Sequence, residues 1–487
     1  MSVYADTLQA RGVLRAGRGG ATRAALWGLA VAALACAAGA VVAVQPLIAL
    51  APLLGLALVI FAFAAPVTHL SLLLVITAVI GYTLQHRLGS HLLPSDALLL
   101  TGLLRASDTL MRKRLEFRRL LAVGLMFAFM VATLLQVIHG LSAGHNGSQT
   151  GDEARTLLGF GALLLAVPIL DDARGRQRMG QGLVVVGLLL GLYGLVVWAL
   201  GISFGENVDV GLRATAGFAA SGSGQLHGGL YGYPVAVVMA TAVLLAGRAG
   251  RGYRRGAVIA VLVLNLFCLM LTYERTFWLT TIVALAFVAV KMGRGRRLRA
   301  VVTLVITGLL TLGVLAAAFP ADLTKIEARA LTLGQATSDN SVRYRVVETQ
   351  HVMRKVRAQP LAGSGLGDTM YWGQPWEQVR PRATWFAHNG YLWIIWKLGV
   401  LQAALLFGLL AWAVVSPARP ERDRDARALR VAAQGGLLVL CLSSLTFPSF
   451  NSDTITATMG VLLAMCFIRY ERPETSSARL DSASQCE

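Results

Sequence analysis

Five side chains stand out for the chemistry they could do together: Arg213, Arg275, Arg343, Arg345 and His388. Arginine presents a planar, permanently charged fork of donors that matches phosphate oxygens. Imidazole is the side chain best suited to accept a proton near neutral pH. Arg213 sits in Gly-Leu-Arg-Ala-Thr-Ala-Gly-Phe, Arg275 in Tyr-Glu-Arg-Thr-Phe-Trp, Arg343 and Arg345 in Ser-Val-Arg-Tyr-Arg, and His388 in Phe-Ala-His-Asn-Gly-Tyr-Leu-Trp. Each has a simpler role when taken singly. An arginine can anchor its stem among acyl chains and its head among lipid phosphates, His388 can be an interfacial hydrogen-bonder, and Glu274 can be a local partner of Arg275. Several guanidiniums on one face beside an imidazole favour instead a bound phosphate or diphosphate next to a general base. The remaining histidines, His69, His86, His91, His139, His145, His227 and His351, lack ligand spacing, so no metal site is expected. The chain has no GxxxxGK[ST] or HExxH element, which leaves ATP hydrolysis and zinc proteolysis without sequence support.

The elements that must position these residues are membrane spans. Of 487 residues 56% are hydrophobic and 14% charged, about half the charge content of a soluble domain. The net charge of +19 would suggest nucleic acid in a soluble protein. Here it falls in short Arg-rich clusters between apolar runs, the pattern of loops held on the cytoplasmic side. A span needs about 20 apolar residues, and the runs Ala24 to Val44, Pro46 to Ala64, His69 to Leu84, Leu93 to Leu104, Leu120 to Ile138, Thr156 to Leu170, Gly182 to Leu200, Gly228 to Ala246, Ala257 to Thr272, Phe277 to Val290, Val301 to Phe319, Tyr391 to Val415, Val431 to Phe447 and Ile455 to Ile468 qualify or nearly do. The expected fold is an all-α polytopic integral membrane protein of about 12–14 transmembrane helices with one large, partly helical loop. Five basic loops, around Arg112 to Arg119, Arg174 to Arg178, Arg248 to Arg255, Lys291 to Arg299 and Arg419 to Arg427, share the N-terminal side if the spans alternate. Cys36, Cys268, Cys441 and Cys466 lie in apolar runs and Cys486 in the tail, so they read as buried small hydrophobes and a tail residue rather than a disulfide or zinc framework.

The domain organisation follows: a basic cytoplasmic N-terminus over 1–23, spans over 24–319, a large loop over 320–386, C-terminal spans over 387–469, and a polar, Ser-rich tail over 470–487 that reads as disordered. The first span resembles a signal peptide but is read as uncleaved because another span follows at once. The loop is the only large hydrophilic block within the membrane region, and such loops usually carry function. Within it Ser341 to Ala358 predicts a helix that stops before Pro360, and Gly363, Gly365 and Gly367 predict turns. Tyr371, Trp372, Trp376 and Trp385 suit either interface anchoring or stacking on sugars, Trp385 favouring the anchor.

The order of Gly-x-Arg213 before a span, a span-end Arg275, a loop opening Ser-Val-Arg-Tyr-Arg345, then Pro360-Leu-Ala-Gly-Ser-Gly-Leu-Gly367 and His388-Asn-Gly-Tyr-Leu392 resembles the O-antigen ligase family of Gram-negative bacteria. It is similar also to the superfamily holding O-antigen polymerases and protein O-oligosaccharyltransferases. Relatives often have small residues before the span-end arginine, where this chain has Tyr273-Glu274. The resemblance implies an inverting glycosyl transfer that needs no metal and no cofactor, on the periplasmic face of the inner membrane. The donor would be O-antigen on undecaprenyl diphosphate and the acceptor a sugar hydroxyl of lipid A-core. It further implies that Arg213, Arg275 and Arg345, with Arg343 second to Arg345, hold the diphosphate and that His388 deprotonates the acceptor; no nucleic acid is involved. The nearest rival is a polymerase taking a second lipid-linked glycan, with a protein O-oligosaccharyltransferase behind it. From another class, a lipid-linked oligosaccharide flippase or transporter should show ionisable or broken-helix features near mid-membrane. In this sequence the informative residues gather at one face.

Overall fold

The computed structural model describes residues 46–77, 94–112, 115–199, 231–246, 254–293, 302, 305–309, 311–314, 316–317, 319–331, 340–372, 382–417 and 424–468. Arg213, the segment 1–23, the first span and the tail 470–487 lie outside the described residues. The chain divides into two units, 1–64 and 65–487. In the first, α1 (Pro46–Ala64) carries no polar side chain at all, the composition of a helix surrounded by apolar material on every side.

In the second unit the elements run α2 (Pro66–Val75), α3 (Pro94–Arg112), α4 (Phe117–Ser142), α5 (Gly147–Leu158), a 3-10 turn Gly159–Gly161, α6 (Ala162–Ile169), α7 (Ala173–Ala199), α8 (Gly232–Leu245), α9 (Arg255–Leu271) and α10 (Arg275–Met292). Then follow α11 (Pro320–Leu331), α12 (Asn340–Ala358), strands β1 (Met370–Trp372) and β2 (Arg382–Thr384), α13 (Gly390–Val415), α14 (Arg424–Ser443), a 3-10 turn Ser449–Asn451 and α15 (Asp453–Cys466). Among the described residues five helices, α4, α7, α10, α13 and residues 426–443 of α14, are long and apolar enough to cross a membrane, and α2, α8, α9 and α15 are shorter apolar helices. Tyr233, Leu262, Phe277, Val288 and Ala432 form the core where α8, α9, α10 and α14 meet. Phe127, Ile282 and Leu401 on the outer faces are exposed, as side chains facing lipid would be. The chain is an all-α polytopic membrane protein.

The expected span Thr156 to Leu170 needs correction. It is the second half of a broken rod in which α5 comes first, then the 3-10 turn, then α6. Hydropathy misses α5 because it carries Asp152, Glu153 and Arg155, yet those charges are matched: Arg155 sits 2.9 Å from Asp96 on α3 and 2.9 Å from Asp152. The helix expected over Ser341 to Ala358 is α12. Two features of the long loop are additional, α11 and an antiparallel hairpin pairing Tyr371 with Ala383. Three-residue strands are too short to show a period of two in sequence.

The expected turns at Gly363, Gly365 and Gly367 all have positive φ. They form a strap that lies along a break in α13 at Gly399, where φ is 76° and ψ 168°. The helix there loses its own hydrogen bonds, and the strap replaces them: Ser364 N–H donates to Trp396 O (2.9 Å), Gly365 N–H to Lys397 O (3.1 Å), and Val400 N–H to Pro360 O (2.8 Å). A Cβ at Gly399 would need a left-handed backbone and would collide with the Leu361 carbonyl. Gly399→Ala should therefore destabilise the protein by about 1–3 kcal/mol, read as a lower thermal midpoint in detergent. Gly408→Ala, with nothing within 4 Å of the new Cβ, should stay within about 0.5 kcal/mol; equal midpoints for the two would contradict this account of the break.

Candidate functional site

Asn389 is the N-cap of α13, its side chain accepting the Leu392 N–H at 3.0 Å. Asparagine suits this position because its side-chain oxygen satisfies one of the free donors of the first turn. The cap fixes where the helix starts and hence where His388, one residue earlier, stands. Gly390 N–H then donates to Ser444 O at 2.8 Å, tying this turn to the end of α14.

His388 is met by a residue the sequence reading missed. The Glu348 carboxylate on α12 lies 3.0 and 3.1 Å from His388 Nδ1 and accepts the His388 backbone N–H at 2.9 Å. Glu348 is buried, whereas the His388 side chain keeps 25% of its surface. A carboxylate at Nδ1 assigns the proton to that nitrogen, which leaves Nε2 as the acceptor. Tyr344 and Phe386 hold the ring edge-on, at centroid distances of 5.5 and 5.4 Å. Tyr344 lies four residues before Glu348 and Arg345 three before it, spacings that put all three on one side of a helix.

The arginines divide. Arg345 reaches over the Phe447 ring, its guanidinium 5.8 Å from the centroid. Phe447 packs on Phe277 at 4.9 Å, and Thr446 donates a hydrogen bond to Thr276 at 3.0 Å. Arg275, beside Thr276 at the first turn of α10, is thereby brought to the same end of the protein as Arg345 and His388. The α9–α10 turn is tight: Tyr273 has φ 51°, an uncommon backbone for a non-glycine residue, and Trp278 donates to Leu269 O at 2.9 Å across it. Arg343 is exposed and stands two residues, about 200°, round α12 from Arg345, so the structure separates this pair. Arg213 lies outside the described residues; the Tyr231 ring contacts Phe277 and Phe447 at 5.3 and 6.1 Å.

A second polar cluster lies along α13, behind the first. Lys397 Nζ is 2.7 Å from Glu153 Oε1, both side chains fully or almost fully buried, and Lys397 also donates to Asp368 O. Glu153 Oε2 accepts Gly367 N–H at 2.7 Å. Asp368 accepts from Lys355 Nζ (2.9 and 3.1 Å) and from Trp396 Nε1 (2.8 Å). Burial acts to raise the Asp368 carboxyl, but hydrogen bonds from Ser364, Lys355 and Trp396 and the Lys355 charge outweigh it and hold the group below the usual carboxylate range. A buried ion pair and a broken helix are thus both present. The charges are matched and the broken backbone is taken up by the strap, so the cluster is closed rather than open to a passing solute.

Glu348 had one sequence signal. It is the single acid on α12, among Arg343, Arg345, Arg354, Lys355 and Arg357, though nothing in the sequence joins position 348 to position 388. Cys268, Cys441 and Cys466 are free thiols. Tyr371 and Trp385 are exposed; the Trp372 and Trp376 side chains lie outside the described residues.

No curated protein matches the chain. Residues 260–407 match the family model described as O-antigen ligase. That stretch takes in Arg275, Arg343, Arg345, Glu348, Asp368, His388, Lys397 and Gly399, so the likeness to the O-antigen ligase family falls on the part that builds this site.

Proposed function

We propose that the protein is an O-antigen ligase: it transfers O-antigen from undecaprenyl diphosphate to a sugar hydroxyl of lipid A-core, on the periplasmic face of the bacterial inner membrane. The family domain supports the ligase and polymerase superfamily as a whole. The observation that carries the finer reading is the imidazole held at Nδ1 by a buried carboxylate with Nε2 left to accept, at the same end of the protein as Arg275 and Arg345.

The chemistry follows from those groups. A sugar diphosphate already has a good leaving group, so the protein must orient the partners and neutralise charge that grows on the diphosphate as the glycosidic bond breaks. Arg345 and Arg275 take that role, with Arg213 as a third candidate from the sequence and Arg343 as the weaker one. His388 Nε2 takes the proton of the acceptor hydroxyl as its oxygen attacks the anomeric carbon from the side opposite the diphosphate. Glu348 faces the positive charge this leaves on the ring. One displacement of this kind inverts the anomeric centre. The proton ends on His388 and the electron pair of the broken bond on undecaprenyl diphosphate. No step calls for a metal or cofactor.

Wild-type protein given undecaprenyl-diphosphate glycan and lipid A-core in chelator should yield one glycan joined to the core, read as product mass. Elongation with two lipid-linked glycans instead would make it a polymerase, and neither product would favour transport. His388→Ala should lower transfer by about 10²- to 10⁴-fold with folding retained; an active variant would remove His388 as the base. Arg345→Lys should cost on the order of 10- to 100-fold, because a point charge does not replace the bidentate fork. Arg343→Lys should change the rate less than about threefold, and equal losses at the two positions would contradict their division.

A further inference from the structure

The long helix α12 carries Arg345 and Glu348, yet it belongs to the loop, so its position along α13 has to be set by something. Besides the backbone strap that follows its last turn, two polar contacts do so. One is Glu348 on His388. The other joins Lys355 through Asp368 to Trp396. Glu348 and Lys355 are seven residues apart, two helical turns or about 10.5 Å, and fall on nearly the same side of α12. His388 and Trp396 are eight residues apart across the start of α13. The two contacts are therefore rungs of matched spacing between helices that run in the same direction.

Asp368 is the middle of the second rung. It is 8% exposed, accepts from Lys355 on α12 and Trp396 on α13, and its backbone carbonyl accepts from Lys397, whose charge is balanced by Glu153 on α5. His145, from the turn between α4 and α5, stands 4.0 Å from Asp368 Oδ1. A slip of α12 by one residue moves its side chains 1.5 Å along the axis and 100° around it, which would take Glu348 off His388.

We propose that Asp368 is a positioning residue for the transfer reaction: through Lys355 and Trp396 it sets the register of α12 on α13, so that Glu348 meets His388 and Arg345 meets the diphosphate. This rests on His388 being the base. Misplacement of a reacting group by about 1 Å costs on the order of 100-fold, so Asp368→Asn should lower kcat by about 10- to 100-fold while leaving the acceptor KM within about threefold.

The test combines a double-mutant cycle with hydrogen exchange on the full-length protein in detergent. If Asp368 acts through the Glu348–His388 contact, Asp368→Asn should cost much less in a Glu348→Gln background than in wild type. Losses that multiply would mean that Asp368 acts elsewhere, and full activity of Asp368→Asn would equally overturn the proposal. Amides of α12 should exchange faster in Asp368→Asn than in wild type, with α10 unchanged; identical α12 exchange would overturn it by a route that needs no turnover. Should Asp368→Asn fail to fold, Lys355→Met breaks the same rung from its more exposed end and should give the same pattern. Wild-type protein inactive on every lipid-linked glycan would sink the transferase reading, while the exchange result would still decide whether the rung sets the register.

Discussion

A helix that breaks inside a membrane must give its freed backbone groups to something other than water. At Gly399 the break in α13 is met by the strap Pro360 to Gly367, whose amides and carbonyls pair with those of residues 396–400. Everything at the site depends on this exchange. It brings the segment that follows α12 back against α13, and it fixes the end of α12 beside α13. Lys397 and Glu153 then lie on the far side of the strap, and their buried pairing holds α5 against it. Removing one partner of such a pair would leave an uncompensated charge, a cost of several kcal/mol, so the pair and the strap stand or fall together.

From that anchor the chemistry is assembled at the ends of elements. α13 begins one residue after His388 with its asparagine cap, α10 begins with Arg275, and α14 ends beside Phe447. His388, Asn389 and Arg275 stand at these termini, while the apolar helix bodies are committed to the core. α12 supplies the remaining groups from the loop. A hydrophilic insertion suits such a site: an imidazole and a carboxylate in hydrogen-bond contact, with a guanidinium three residues from the carboxylate, are difficult to place on spans that must stay apolar.

Much of this was legible in sequence because it is local. The asparagine after His388 caps a helix, Pro360 ends one, and the three glycines turn the chain, each by its own backbone preferences. The division of Arg345 from Arg343 was only half legible, since the two residues are neighbours in the motif but face different ways on a helix. What could not be read was contact across distance: Glu348 with His388 over 40 positions, Lys397 with Glu153 over 244. The charges of α5 hid the start of this helical run because hydropathy counts a charged residue as exposed, whereas here Arg155 and Glu153 are paired. The hairpin was too short to announce itself.

The central claim is that a single displacement occurs, with His388 Nε2 taking the acceptor proton while the diphosphate leaves. The anomeric configuration of the newly formed bond, determined by NMR on purified product and compared with that of the lipid-linked donor, tests this most directly. The account predicts inversion. Retention would require two displacements through a covalent intermediate, and would contradict the role given to His388 and Glu348.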